Sequence, residues 1–391
     1  MNDQVFAAKK TLLVVTTVPE TLLTILKGQP AFLSGHFRLR LATSPTVDIA
    51  QIADHEKVEV SCVPMVRGIS PVRDLLSIMQ MIVLLRQMRP DAVHSYTPKA
   101  GLVTMLAAWI CRVPVRIHTF TGLIFPTASG VKQKLLILID RLICACATCV
   151  VPEGQGVAQD LRRFGITHKP LQVIGFGNIA GVNTAYFDPA DAASIERAKK
   201  LRDTLGIADS AFVFCFVGRL NRDKGLFELV RAFEELEGGH LLLVGAHDQT
   251  APLDEQTRHA IDGHPRIHHV GFQEDIRGAL LSADVLVLPS YREGFPNVLL
   301  QAGSMTLPVI ASDINGCNEI VTPGYNGWLV PSRNIEALRL AMQAAMEKSE
   351  EDLVSMGRSA RLHVKACFEQ KEHWQRMVEF YQGELSSETS L

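Results

Sequence analysis

No stretch of this 391-residue chain approaches the roughly 20 consecutive apolar residues that a membrane-spanning helix requires. The runs Met81-Ile82-Val83-Leu84-Leu85 and Leu135-Leu136-Ile137-Leu138-Ile139 end in charge well short of that, so no transmembrane segment is expected. Met1 to Lys10 lacks a basic segment followed by an apolar run and a small-residue cleavage site, which predicts a chain without a secretory signal that stays in the cytoplasm. Low-complexity tracts are missing too, which excludes disordered, collagen-like and coiled-coil classes. Metal-ligand spacing is equally thin. Cys146 and Cys149 have C-x-x-C spacing beside Cys144, but no second ligand pair stands at a suitable distance, so the cysteines read as small core residues.

Three nucleotide signatures are also lacking. After the first strand, Val15-Thr16-Thr17-Val18-Pro19 carries no glycine, and Gly175-Phe176-Gly177 has the wrong following spacing for a dinucleotide fingerprint. There is no Walker A sequence, and no Asp-x-Asp pair to hold a nucleotide-sugar metal ion. A nicotinamide or flavin enzyme is not expected, nor a nucleic-acid partner. Any bound phosphate must be neutralised by protein groups alone, with no metal and no cofactor.

What is present is a doubled α/β pattern. Apolar β-branched runs (Thr11 to Val15, Phe37 to Thr43, Val58 to Val63, Asp91 to His94, Val115 to His118) alternate with helical stretches Asp74 to Met88 and Gly101 to Cys111. The second half repeats the plan with strands at Phe212 to Val217, His240 to Val244, Ile267 to Val270, Val285 to Leu288 and Pro308 to Ala311, and helices at Leu226 to Leu236 and Asn297 to Ser304. Two doubly wound Rossmann-like domains facing across a cleft are therefore expected: residues 1–187, residues 188–364, and a C-terminal helix and tail at 365–391. The polar stretch Phe187 to Ser210 reads as the linker, and Gly383 to Leu391 as a frayed tail. The aromatics of Lys365 to Gln382 predict burial of that helix, either against the first domain as the chain returns or against the second.

Charge is uneven although the net is -2. Up to Gly175 there are 19 Lys+Arg and 11 Asp+Glu, hence +8; from Phe176 onward there are 20 and 30, hence -10. A basic half carrying apolar helices suits peripheral contact with an anionic membrane surface; an ordinary distribution of solvated charge reads the same way.

Chemistry concentrates at strand ends of the second half. Gly218-Arg219-Leu220-Asn221-Arg222-Asp223-Lys224-Gly225 directly follows a strand, which puts Arg219 and Lys224 where open α/β sheets bind ligands. A guanidinium fork and an ammonium point charge there can hold a diphosphate. Further on, Pro289-Ser290-Tyr291-Arg292-Glu293-Gly294-Phe295-Pro296-Asn297-Val298 turns from a strand into a helix whose free N–H groups favour an anion. Glu293 beside such a site suits the hydroxyls of a sugar.

These motifs, with Pro308-Val309-Ile310-Ala311-Ser312-Asp313, Asn318-Glu319-Ile320-Val321 and Asn326-Gly327-Trp328-Leu329-Val330-Pro331, resemble the glycosyltransferase family 4 pattern of GT-B enzymes, in the expected order over the whole second domain. His94 to Gly101 and Arg116 to Leu123 resemble bacterial members that build capsule, O-antigen or lipopolysaccharide-type glycans on a lipid carrier. The resemblance implies that Arg219 and Lys224 hold the donor diphosphate and stabilise the leaving nucleotide. It implies that Glu293 is the first Glu of the E-x7-E motif and contacts the donor sugar. Gly294, Phe295, Asn297 and Val298 match the turn packed on sugar and phosphate, Gln273 falls where relatives contact the nucleobase, and His118 falls where many carry a His near the reacting sugar. His118 and Gln273 read equally as a core histidine and an ordinary loop residue.

Two positions depart from the pattern. Asn183 stands where relatives often have Asp, with no account for it, and Gln301 stands where the second Glu would meet the ribose hydroxyls. A neutral hydrogen bond there in place of a charge-assisted one costs about 1 kcal/mol. The resemblance implies a retaining hexosyl- or N-acetylhexosaminyltransferase moving sugar from a nucleotide-sugar, of the UDP class, to a polyprenyl-linked saccharide. The rivals are a catalytically silent nucleotide-sugar-binding subunit, motivated by Gln301, and a nucleotide-sugar epimerase of the same fold.

Overall fold

A computed structural model describes residues 9–45, 49–66, 68, 70–248 and 251–387. The chain divides into two compact units, Met1–Ala180 with Lys371–Leu391, and Gly181–Gln370.

The N-terminal unit holds strands β1 (Thr11–Val15), β2 (Arg38–Thr43), β3 (Glu59–Cys62), β4 (Ala92–Tyr96), β5 (Val115–Phe120) and β6 (Cys149–Pro152). All pairs are parallel and the order is β3-β2-β1-β4-β5-β6, so the direction of winding reverses between β1 and β4. Alternation along β1 explains the layers. Leu13 and Val15 pack with Met81, Val103 and Ile143 from the helices Pro71–Met88, Pro98–Ile110 and Gly130–Cys146. Leu12 and Val14 face the other way, toward Met377 and Tyr381 of the C-terminal helix Gln370–Ser387. That helix is pinned where Tyr381 Oη and His94 Nδ1 share a hydrogen bond of 2.6 Å, while His94 Nε2 meets Thr119 Oγ1 at 2.7 Å.

The second unit repeats the plan with β7 (Val213–Val217), β8 (His240–Val244), β9 (Ile267–His269), β10 (Val285–Leu288), β11 (Val309–Ser312) and β12 (Gly327–Val330). Its parallel order, β12-β11-β10-β7-β8-β9, places the reversal between β7 and β10. Those strands are almost wholly apolar and buried, as a sheet covered on both faces requires.

Several boundaries differ from the sequence reading. The units meet at Ala180/Gly181 rather than after Phe187, and again at Gln370/Lys371 rather than near Lys365. The expected linker is a helix, Ala192–Leu205: Asp191 caps its first turn by accepting from Ser194 N at 2.9 Å, and Gly206 ends it in the left-handed region. Its polarity reflects an exposed face, not an open chain. Lys365 to Gln382 is two helices, Glu350–Cys367 and Gln370–Ser387, separated where Phe368 O accepts from Val182 N and Val182 O from Gln370 N. The tail stays helical to Ser387, and its last four residues lie outside the described ones.

Burial pushes the Cys144 and Cys149 thiols up to about 12 and raises that of Cys146, so all three are protonated thiols at neutral pH. Among the described residues no helix is long and apolar enough to cross a membrane.

Candidate active site

In the C-terminal unit, the loops after β7 and β10 leave the carboxyl ends of neighbouring strands at the reversal point, where doubly wound sheets bind ligands. Backbone contact ties them: Tyr291 N donates to Asp223 O at 2.8 Å. Gly225 has φ +71, and a Cβ there would lie 2.1 Å from Pro289 O, so only glycine lets the two loops approach this closely.

The structure brings Lys224 and Glu293 together, with Nζ 2.6 Å from Oε1. Ser290 Oγ donates to the same carboxylate oxygen at 2.6 Å. Asn221 accepts from the Lys224 backbone N–H at 3.1 Å and donates from Nδ2 to Asp248 Oδ2, also at 3.1 Å. Arg219 Nη1 reaches the same Asp248 oxygen at 2.6 Å. Two cations expected to grip a diphosphate are thus each held by a carboxylate, in one network running from Arg219 to Ser290.

The two pairs differ in what it takes to open them. The Arg219 side chain is 63% exposed and Asp248 only 7%, so the guanidinium can swing toward phosphate while the nearly buried carboxylate keeps its bond from Asn221. Lys224 and Glu293 are 23% and 11% exposed, so that pair is largely desolvated and an anion must replace the carboxylate nearly in full.

The helix Asn297–Ser304 begins just after Glu293, and no side chain caps its N-terminus. Its first N–H groups and dipole favour negative charge. Phe295 is buried against Phe368, ring centroids 5.5 Å apart, which fixes the turn, while Gly294, Asn297 and Val298 are part-exposed. Gln301 is half-buried one turn into the helix. Gln273 is exposed, its Nε2 donating to Val270 O at 2.9 Å, so its side chain restrains its own loop.

His118 belongs to the other unit. It lies on β5 opposite Ser95, wholly buried, with Nδ1 2.9 Å from Ser95 Oγ. A Cβ added at Gly101 would lie 2.4 Å from the ring, so the helix Pro98–Ile110 closes over it. Burial lowers its pKa to about 3, and Nε2 is left with no hydrogen-bond partner. The imidazole that the resemblance puts beside the reacting sugar is neutral and enclosed by residues of its own unit.

Sequence reasoning missed Asp248, Asn221 and Ser290 as partners of the cations. It also missed Thr97, the residue after β4 at the first unit's reversal point, which has φ +74 and ψ 147. That conformation costs a non-glycine residue about 1–3 kcal/mol and tends to mark functional sites. A 2.6 Å hydrogen bond between the Thr97 and Thr17 hydroxyls holds it.

Models of known protein families match both halves of the chain. A family model described as "Glycosyl transferase 4-like domain" matches residues 32–177, and one described as "Glycosyl transferases group 1" matches residues 211–348. The chain is 28% identical to the capsular polysaccharide biosynthesis glycosyltransferase CapM of Staphylococcus aureus, over 91% of this chain and 93% of that protein. It is 28% identical to the UDP-Gal:alpha-D-GlcNAc-diphosphoundecaprenol alpha-1,3-galactosyltransferase of Escherichia coli, over 69% of this chain and 70% of that one. Among solved structures, Anabaena HepE in complex with UDP and glucose superimposes with a TM-score of 0.81 at 18% identity, covering 96% of this chain and all of that one, which shows a shared fold. With both halves matched by these models and the fold shared with GT-B structures, the chain belongs to glycosyltransferase family 4.

Proposed function

We propose that the protein is a retaining glycosyltransferase that moves a hexosyl or N-acetylhexosaminyl group from a UDP-sugar to a polyprenyl-linked saccharide during cell-surface polysaccharide assembly. The observation that carries this reading is the Lys224–Glu293 pair at the reversal point of the second unit, beside an uncapped helix N-terminus. The E. coli relative, named for a UDP-galactose donor and a diphosphoundecaprenol-linked acceptor, supports the substrate classes.

In this mechanism the donor diphosphate takes Lys224 from Glu293 and Arg219 from Asp248. Glu293, released, accepts hydroxyl hydrogen bonds from the donor sugar. As the anomeric C–O bond breaks, charge grows on the departing phosphate, and the two cations with the helix N–H groups stabilise it more in the transition state than in the ground state. The acceptor hydroxyl attacks from the face the nucleotide leaves, and its proton passes to the phosphate oxygen. Phe295, Asn297 and Val298 shape the sugar and phosphate turn, Gln301 meets the ribose, and the Gln273 loop borders the base. No metal or other cofactor takes part. His118 stays in the proposal through its unpartnered Nε2, which meets a substrate hydroxyl only if the helix Pro98–Ile110 moves off the ring. A lipid-linked acceptor brings the basic first unit to the inner face of a membrane.

Calorimetric titration of UDP and GDP in EDTA tests the donor site. UDP is expected to bind, with Lys224→Ala weakening it about 10- to 100-fold, the value of one charge-assisted bond of about 1.5–3 kcal/mol. Equal affinity in wild type, Lys224→Ala and Arg219→Ala would remove the diphosphate assignment.

A further inference from the structure

The diphosphate site of the second unit carries a mechanical requirement. Lys224 and Glu293 stand on different loops, after β7 and after β10, and the 2.6 Å bond between them is what joins their tips. A phosphate that takes Lys224 removes that bond, so the spacing of the two loops must be kept by other contacts. The backbone supplies one, Tyr291 N on Asp223 O at 2.8 Å. A side chain supplies another.

Tyr291 stands two residues before Glu293. Its hydroxyl donates to the Glu228 carboxylate and lies 2.7 Å from each oxygen. Glu228 stands four residues after Lys224, in the first turn of the helix Leu226–Glu234, and is buried. Burial, and then the carboxylate itself, raise the Tyr291 phenol to about 12, so the hydroxyl keeps its proton and remains the donor at neutral pH. A third loop, after β12, closes on the same ring. The Arg333 guanidinium lies over it, 4.3 Å from the centroid, and Ser332 Oγ donates to Ser290 O at 3.3 Å. Arg333 has φ +62, a conformation that a non-glycine residue keeps only where its surroundings hold it. The loops share one more side-chain link, Arg292 to Asp223 at 2.9 Å, but both ends are exposed and such a pair yields too easily to set a distance.

A phenol against a buried carboxylate is not needed to fill a core. Two apolar groups of the same shape would serve stability about as well, whereas a hydrogen bond to a charged group fixes both distance and direction. We infer that Tyr291, through its hydroxyl on Glu228, is a positioning residue that keeps the Lys224 and Glu293 loops in register when the donor diphosphate parts the pair. The inference rests on the donor reading of this site and extends it to a residue that acts through others.

Calorimetric titration with UDP, and with uridine by displacement of UDP, tests this, because the comparison isolates what the phosphates contribute. Tyr291→Phe keeps the ring beneath Arg333 and removes only the hydroxyl. It is expected to weaken UDP about tenfold while uridine changes less than about twofold. It should also lower the thermal midpoint, since Glu228 is left buried without its donor. Tyr291→Phe/Glu228→Met removes both polar groups, so the midpoint should recover while the lost UDP affinity does not. Unchanged UDP affinity in Tyr291→Phe overturns the proposal, and so does an equal loss of UDP and uridine. A double variant that regains UDP affinity along with its midpoint overturns it as well, because the pair would then serve stability alone. A wild type that binds no UDP refutes the donor site and this role with it. A wild type whose UDP binding needs Lys224 but is indifferent to Tyr291→Phe refutes the positioning role alone.

Discussion

Gln301 shows what a single residue changes. It lies eight positions after Glu293, on the helix Asn297–Ser304 whose N-terminus faces the proposed phosphate site. A Gln carbonyl accepts a ribose hydroxyl as a neutral group, where a carboxylate would accept it with charge assistance. Gln301→Glu should therefore retain transfer activity and tighten UDP by up to about fivefold, the equivalent of about 1 kcal/mol. Calorimetry on both forms reads this directly, and abolished binding would mean that Gln301 does something other than meet the ribose. Arg219, Lys224 and Glu293 were legible because each stands at a strand end within its own motif. Asp248 was not, because its contact with Arg219 depends on β8 lying next to β7, which no local spacing announces.

Elements with one apolar face were the easiest to read, and the helix Gly130–Cys146 shows why others were not. It buries Asp140, Ile143 and Cys144 on one side and exposes Val131, Leu135 and Leu138 on the other, so the 3.6-residue signal is erased and only an apolar run remains. Pro98 and Pro71 begin their helices three residues before Gly101 and Asp74, the expected starts, since proline suits the first helical turn. Asp140 makes the cost of this helix's environment measurable. Its folded pKa of about 7 lies above the unfolded value, so ionising it costs stability as pH rises through 7, and the stability is intact below about pH 4. Asp140→Asn should then change little near pH 4 and stabilise the first unit by about 2–4 kcal/mol at pH 8. Urea unfolding at the two pH values checks the sign: a variant less stable at pH 8 would show that the carboxylate is paired when charged.

Across the whole chain, the repeated βα pattern announced two doubly wound units, while the return of Lys371–Leu391 to the first unit was one of two open readings, because aromatic content shows burial without showing the partner. That return also loads one unit with buried histidines. Burial lowers His118 to about 3 and His373 to about 4, and holds His94 well below the ordinary imidazole range. All three are neutral in the folded unit and gain a proton on unfolding below about pH 6.5, so the stability they provide is present above that pH and is lost as pH falls toward 4. Asp140 acts in the opposite direction, because the folded unit keeps its proton down through this range. Three protons against one leaves the unfolded state binding about two more near pH 5, a slope of up to about 2.7 kcal/mol per pH unit. The second unit also holds histidines lowered by burial, His240, His264, His268 and His363, but these are only part-buried, so the first unit should open in mild acid before the second. Trp109 and Trp374 lie in the first unit and Trp328 in the second, so Trp328→Phe leaves fluorescence that reports the first unit alone. On acidification from pH 7, that signal should change while UDP binding, proposed for the second unit, still holds. Loss of UDP binding ahead of the fluorescence change would mean that the buried imidazoles of the first unit do not set the acid limit of the molecule.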